Sequence, residues 1–245
     1  MVASSPYHLH HKRILVTGAS SGIGREVAIQ CARMGSTVIL TGRDHTRLAE
    51  TASLMQAGDH LSLVADLTQL DAIKTLVKQA SAIDGVVHCA AIDGVIPARM
   101  ISKAFLDKVL ETNFHAPVLL TQQLLAQKTL QDGGSIVFMT SIAAHTGTVG
   151  VGPYSASKTA ILGLMRCLAL EVAKRGIRVN AISPGMVDTP LVNEDRDWLE
   201  EKVRNYPLGL GQPIDVAHAA VFHLSDASRK ITGTAFHIDG GVPYT

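Results

Sequence analysis

Short apolar runs alternate along this chain with longer stretches of helical period. Residues 13–17, Arg-Ile-Leu-Val-Thr, are apolar and β-branched, as expected of a strand buried on both faces. A glycine-rich turn follows, after which Val27, Ile29, Ala32 and Met34 predict a helix. Residues 37–41, Thr-Val-Ile-Leu-Thr, predict a second strand. After Tyr154, a helical run with Ala160, Ile161, Leu164, Met165, Leu168 and Val172 has more apolar perimeter than one sheet face needs. Strands alternating with helices predict an α/β fold: a doubly wound, mainly parallel sheet of about seven strands covered by helices on both faces. No linker-like stretch or repeat divides the 245 residues, so a single domain is expected. Its expected span is 12–245, after a flexible leader at 1–11 and with a substrate lid around 186–211.

The turn after the first strand reads Gly18-Ala-Ser-Ser-Gly22-Ile-Gly24. Strand, glycine turn and helix in that order form the setting for a phosphate-binding turn. Glycines let the backbone bend sharply and approach a pyrophosphate, and the helix N-terminus adds free N–H groups and a positive dipole end. The second strand indicates which dinucleotide. An acidic residue about twenty positions past the glycines would bind the adenosine ribose and select NAD. Gly42 stands there and Arg43 follows, so NADP(H) is preferred, with the guanidinium able to grip a 2′-phosphate. The adjacent Asp44 keeps NAD(H) open as the alternative.

Tyr154 and Lys158 stand four residues apart, which puts both on one helix face. An ammonium near a phenol favours phenolate and is expected to lower the tyrosine pKa from about 10 towards neutrality. Such a phenol can exchange a proton with an alcohol or a carbonyl. Ser141, thirteen residues before Tyr154, offers a hydroxyl to hold the same oxygen. The chemistry predicted is redox at a carbonyl.

With these residues in order, the chain resembles a short-chain dehydrogenase/reductase of the compact type over about 12–241, essentially its whole length. The matching parts are Thr17 to Gly24, Asp66 in Ala-Asp-Leu, Asn113, Ser141, Tyr154 with Lys158, Pro184-Gly185 and Asp239-Gly-Gly241. In motif set and length it is similar to 3-oxoacyl-(acyl-carrier-protein) reductases. The resemblance implies a Rossmann-type sheet and a catalytic set of Asn113, Ser141, Tyr154 and Lys158. Tyr154 would be the acid in reduction, Lys158 would lower its pKa and bind the nicotinamide ribose, and Asn113 would help hold a relay water. It also implies that the dinucleotide is held by Thr17, Gly18, Ser20, Ser21, Gly22, Ile23 and Gly24, then by Arg43, Asp66 and Leu67. Ala90, Ala91, Tyr154, Lys158, Pro184, Gly185, Val187 and Thr189 complete that set. One departure stands out: His88-Cys89-Ala90-Ala91 replaces the usual Asn-Asn-Ala-Gly, which bears on cofactor affinity more than on reaction type.

Composition narrows the classes further. With 47% hydrophobic residues, 18% charged and a net charge of +1, nothing points to nucleic acid or membrane partners. The leader lacks the apolar core of a signal peptide, and its His8, His10 and His11 read as a mobile tail rather than a metal site. Cys31, Cys89 and Cys167 form no Cys-x-x-Cys pair and read as reduced core thiols, which predicts a cytoplasmic protein. No metal is expected. The resemblance, with the apolar helix after Tyr154, implies a homotetramer or dimer. Ile92, His145, Met186 and Trp198 are the expected substrate-side residues. The leading function is NADPH-dependent reduction of a ketone, 3-oxoacyl or similar, to a secondary alcohol. The alternative is NAD-dependent oxidation of a sugar, sterol or other secondary alcohol. From a different class, a non-catalytic dinucleotide-binding regulator is disfavoured because Ser141, Tyr154 and Lys158 are all present.

Overall fold

A computed structural model describes residues 5–191, 204 and 206–242. Seven strands form one parallel sheet: β1 (Arg13–Thr17), β2 (Thr37–Gly42), β3 (Leu61–Val64), β4 (Ile83–His88), β5 (Leu130–Met139), β6 (Arg178–Pro184) and β7 (Ala235–Ile238). The spatial order is β3-β2-β1-β4-β5-β6-β7, so the winding reverses between β1 and β4. Ligands in open sheets of this kind bind where the order reverses, beyond the carboxyl ends of the strands. The described helices are α1 (Gly22–Arg33), α2 (His45–Leu54), α3 (Leu70–Ala80), α4 (Lys103–Leu110), α5 (Ala116–Ala126), α6 (Gly152–Glu171) and α7 (Pro213–Leu224).

The strands are apolar without interruption because both sheet faces are buried. Along β1, Leu15 points into a core shared with α3, α5 and α6. Its neighbours Ile14 and Val16 point the other way, into a core with α1 and α7. The single domain and parallel sheet expected from the alternating pattern are both present.

The described part of the leader is packed rather than free. Leu9 is fully buried, and its N–H donates to Met34 O at 2.8 Å. Tyr7 meets the Phe222 ring of α7, and the Ala227 N–H donates to Pro6 O. A lone leucine among histidines gives no periodic signal, so this contact could not be read from the pattern. Cys167 also departs from expectation: it is exposed on α6, whereas Cys31 is buried.

Two buried histidines make the fold acid-sensitive. His88 is stacked on Phe138, with its Nε2 3.0 Å from Thr121 Oγ1. His223 is packed edge-on between Phe222 and Phe236. Among the described residues, His88 Nδ1 and both ring nitrogens of His223 lack a hydrogen-bond partner. Burial pushes His88 down to about 3; burial, then Arg178, pushes His223 down to about 4. Both are therefore neutral in the fold and take up a proton near pH 6.5 when it opens. Their contribution to stability is complete above pH 6.5 and is lost as pH falls towards 4. Urea unfolding should show a loss of about 1.5–2 kcal/mol per histidine between pH 6.5 and pH 5. His223→Leu should flatten that slope by one histidine's share; an unchanged slope would exclude His223 as a source.

Candidate active site

The glycine turn is shaped by close backbone approach. Gly18 is in the left-handed region at φ 63°, and a Cβ there would lie 2.8 Å from Ala90 Cα. At Gly24 a Cβ would overlap the carbonyl oxygen of Gly18. Thr17 fixes the neighbouring strand end, its hydroxyl accepting the Ala90 N–H at 3.1 Å. Ser21 precedes α1 without capping it through its side chain, so the free N–H groups of the first turn are not blocked by that hydroxyl.

A cavity of about 370 Å³ opens over this turn. Gly18, Ser20, Ser21, Gly22, Ile23 and Gly24 form its floor. Arg43, Asp66, Leu67, Ala90, Ala91, Ile92 and Thr189 line its walls. Asp66 is held as a carboxylate by Thr68, whose N–H and hydroxyl donate to Oδ1 at 3.0 and 2.8 Å. These bonds, with Arg43 contributing less, keep it below the usual carboxylate range. Arg47, in the first turn of α2, lines the same cavity as Arg43, which precedes the helix cap Asp44. Asp44, which could have taken the acidic role towards a ribose, caps α2 instead: Oδ1 accepts the Arg47 N–H at 3.0 Å.

A second cavity of about 110 Å³ shares Ile23, Cys89, Ala91, Thr189 and Leu191 with the first. The two form one cleft. Ser141, Tyr154, Lys158, Pro184, Gly185 and Val187 line the inner part. Ser141 stands where β5 ends, and Tyr154 lies in the first turn of α6. The connection between them is tied down by Ser155, whose hydroxyl donates to Ala143 O at 2.6 Å. Lys158 Nζ donates to Met139 O at 2.9 Å and lies 5.6 Å from the Tyr154 ring centre.

The electrostatics differ from the sequence-based expectation. Burial pushes Tyr154 up to about 12, Ser141 pulls the other way, and Asp93 adds to the rise. Lys158 is pushed down to about 8 by its own burial. The i, i+4 spacing shows that the two groups are neighbours. It carries no information on how far both are withdrawn from water, and here desolvation dominates the charge effect.

Asn113 sits in a π-helical turn, Glu111–His115, inserted between α4 and α5. Its side chain clamps Ile92: Oδ1 accepts the Ile92 N–H at 2.9 Å and Nδ2 donates to Ile92 O at 3.0 Å. Nδ2 also reaches Ser157 Oγ at 3.3 Å. The side chain therefore braces the cleft wall.

His145 and Met186 do not line either described cavity. His145 Nε2 lies 2.9 Å from Ser183 Oγ, and its ring centre is 4.4 Å from that of His237. The Met186 N–H donates to Tyr206 Oη at 3.3 Å. Trp198 lies outside the described residues, as does half of the segment 186–211 expected to act as a lid. A bridge joins Val187 to Gly211, with the Gly211 N–H donating to Met186 O. Cys89 was expected in the core, yet it borders both cavities next to Lys158.

The glycine floor, the unblocked helix N-terminus and the flanking arginines suit a dinucleotide with its phosphates on α1. A family model described as enoyl-(acyl carrier protein) reductase matches residues 18–243. The chain is 34% identical to a (3R)-3-hydroxyacyl-CoA dehydrogenase of Canis lupus familiaris, covering 98% of this chain and 99% of that protein. It is 33% identical to a 3-oxoacyl-(acyl-carrier-protein) reductase of Rickettsia conorii, over 94% of this chain and 96% of the relative. Among solved structures, a dehydrogenase/reductase from Sinorhizobium meliloti superposes with a TM-score of 0.90 at 30% identity, over 97% of each chain. The chain belongs to the short-chain dehydrogenase/reductase family. This short-chain dehydrogenase/reductase is an oxidoreductase acting on CH–OH and C=O groups with a nicotinamide dinucleotide. Among its described residues, no helix is long and apolar enough to cross a membrane.

Proposed function

We propose that the protein is an NADPH-dependent ketone reductase whose substrate is a 3-oxoacyl compound or a similar carbonyl. One observation carries the reading: Arg43 and Arg47 line the cavity over the glycine turn, where guanidinium groups suit the 2′-phosphate of NADPH, and Ser141 and Tyr154 together line the adjoining inner cavity. The reduced nicotinamide, when bound, supplies the hydride. Tyr154 donates its proton to the carbonyl oxygen while the Ser141 hydroxyl donates a hydrogen bond to that same atom. Lys158, fixed on Met139 O, holds positive charge beneath the phenol as it turns into phenolate. Asn113 keeps the Ile92 wall in register and, in this reading, helps hold the water that returns a proton through Lys158.

Arg43 and Arg47 on one rim support NADPH, as does Asp44's engagement in capping. The names of the two curated relatives support an acyl substrate. Leu170, 80% exposed on α6, supports pairing of that helix with a second copy in a tetramer or dimer. Cysteines without disulfides are consistent with a cytoplasmic setting. In the domain reading, the region from Met186 to Gly211 acts as the lid, hinged at the Val187–Gly211 bridge.

The test is NADPH and NADH titration side by side, followed by ketone and secondary-alcohol panels. Tight NADPH binding with ketone turnover supports the proposal; NADH binding with alcohol turnover replaces it with the oxidative reading. The pH profile adds a check. Reduction needs a protonated phenol, present up to about pH 12, and a charged Lys158, lost as pH rises through about 8. kcat/KM for reduction should hold through neutral pH and fall above about 8. A rate that rises through that range would contradict the assignment.

A further inference from the structure

Ser183 is a fully buried serine near the end of β6, one residue before the Pro184–Gly185 wall of the inner cavity. Its hydroxyl meets two side chains, Thr140 Oγ1 at 2.7 Å and His145 Nε2 at 2.9 Å. These two residues bracket Ser141. Thr140 immediately precedes it, and His145 closes the short turn, Ile142–Ala144, that Ser141 opens.

Thr140 has a single hydroxyl proton, which it donates to Ile182 O at 2.9 Å. Ser183 then donates to Thr140 and accepts from His145. The donors therefore run one way, from His145 Nε2–H through Ser183 and Thr140 to Ile182 O, an arrangement in which each bond strengthens the next. Both ends of the Ser141 turn are held on one buried oxygen. That oxygen also adjoins Pro184, so it sets the spacing between Ser141 and the Pro184–Gly185 wall, all of which line the inner cavity. Two further ties of the turn go to α6: Ser155 Oγ donates to Ala143 O at 2.6 Å and Thr159 Oγ1 to Ala144 O at 3.2 Å. His145 supplies the tie to β6 at the far end. Its ring is exposed and lines neither described cavity.

We propose that His145 is a positioning residue for Ser141: through Ser183 it fixes the turn that aims the Ser141 hydroxyl at the substrate oxygen. The inference rests on the role given to Ser141 in the ketone-reductase reading, and it holds for reduction and oxidation alike. A donor displaced by about 1 Å loses much of its effect on the rate.

His145→Leu removes the donor, and His145→Gln returns an amide N–H near the place of Nε2. With ethyl acetoacetate and NADPH, His145→Leu should lower kcat about tenfold, less than Ser141→Ala does, and leave the Kd for NADPH unchanged. His145→Gln should recover turnover to within about threefold of the parent chain. In a Ser141→Ala background, His145→Leu should cost nothing further, because no hydroxyl is left to place. A general loosening of the fold would lower turnover equally in both backgrounds.

Parent-like turnover in His145→Leu, or the same loss with and without Ser141, would overturn the proposal. Parent-like turnover in Ser141→Ala would overturn it together with the role of Ser141. If ethyl acetoacetate is not reduced, the reductive reading fails separately, and the same cycle is read on ethyl 3-hydroxybutyrate with NAD. Amide hydrogen exchange reads the clamp without any substrate. Residues 141–146 should exchange faster in His145→Leu and at the parent rate in His145→Gln. Parent-like exchange in His145→Leu would overturn the proposal whatever the substrate.

Discussion

Tyr154→Phe should bind NADPH as tightly as the parent chain and lose ketone turnover by about 10²–10⁴-fold, the usual worth of a positioned general acid. The substitution removes one oxygen and keeps the ring that packs in the first turn of α6, beneath Gly94. The larger cavity over the glycine turn does not include Tyr154, so the binding of the adenosine half is untouched. The loss should fall on kcat, because the proton moves only in the transition state. Single-turnover hydride transfer, followed at the nicotinamide absorbance, separates this from slower product release. Turnover within a few-fold of the parent would show that the carbonyl oxygen takes its proton elsewhere and would remove Tyr154 from its role. Ser141→Ala supplies the comparison: it removes a donor to the substrate oxygen but no proton source, so its loss should be smaller.

The alternation of strands with helices, the glycine turn and the Tyr154–Lys158 pair are legible because each depends on local spacing. Uninterrupted apolar runs identify strands buried on both faces. A gap of four residues puts two side chains on one helix face wherever that helix lies. Where the reading fell short, the missing information was tertiary. Lys158 and Tyr154 were correctly paired, but desolvation raises the phenol rather than lowering it, and burial depth is not encoded in their spacing. The apolar flanks of Cys89 suggest a core thiol, but it stands just past the end of β4, at the winding reversal where ligands of open sheets bind, and borders both cavities. His145 is drawn down to Ser183 and His237, partners from β6 and β7 that stand about forty and ninety positions away in the chain.

Gly42→Asp combined with Arg43→Val should invert the nucleotide preference, lowering NADPH affinity by about a hundredfold while NADH binds more tightly. A charge-assisted hydrogen bond contributes about 1.5–3 kcal/mol, so losing Arg43 accounts for one to two powers of ten. Placing a carboxylate beside a 2′-phosphate adds repulsion, and the same carboxylate accepts a bond from a free ribose hydroxyl. The fold can accommodate the change. Gly42 is not in the left-handed region, and a Cβ there would meet Ser20 Oγ at 3.4 Å and Leu48 Cδ2 at 3.5 Å, both ordinary contacts. Asp66 loses only the lesser influence on its pKa, because its bonds to Thr68 remain. Arg47 limits the effect of Arg43→Val alone: it lines the same cavity, with its side chain 61% exposed and only a 3.6 Å pairing to Asp44, free to turn towards a phosphate. The single variant should therefore keep part of the NADPH preference, and adding Arg47→Ala should remove the rest. Fluorescence titration of the four proteins with both nucleotides reads each step. An unchanged ratio in the double variant would show that the 2′-phosphate is not held at the end of β2, and the preference for NADPH would lose its structural basis.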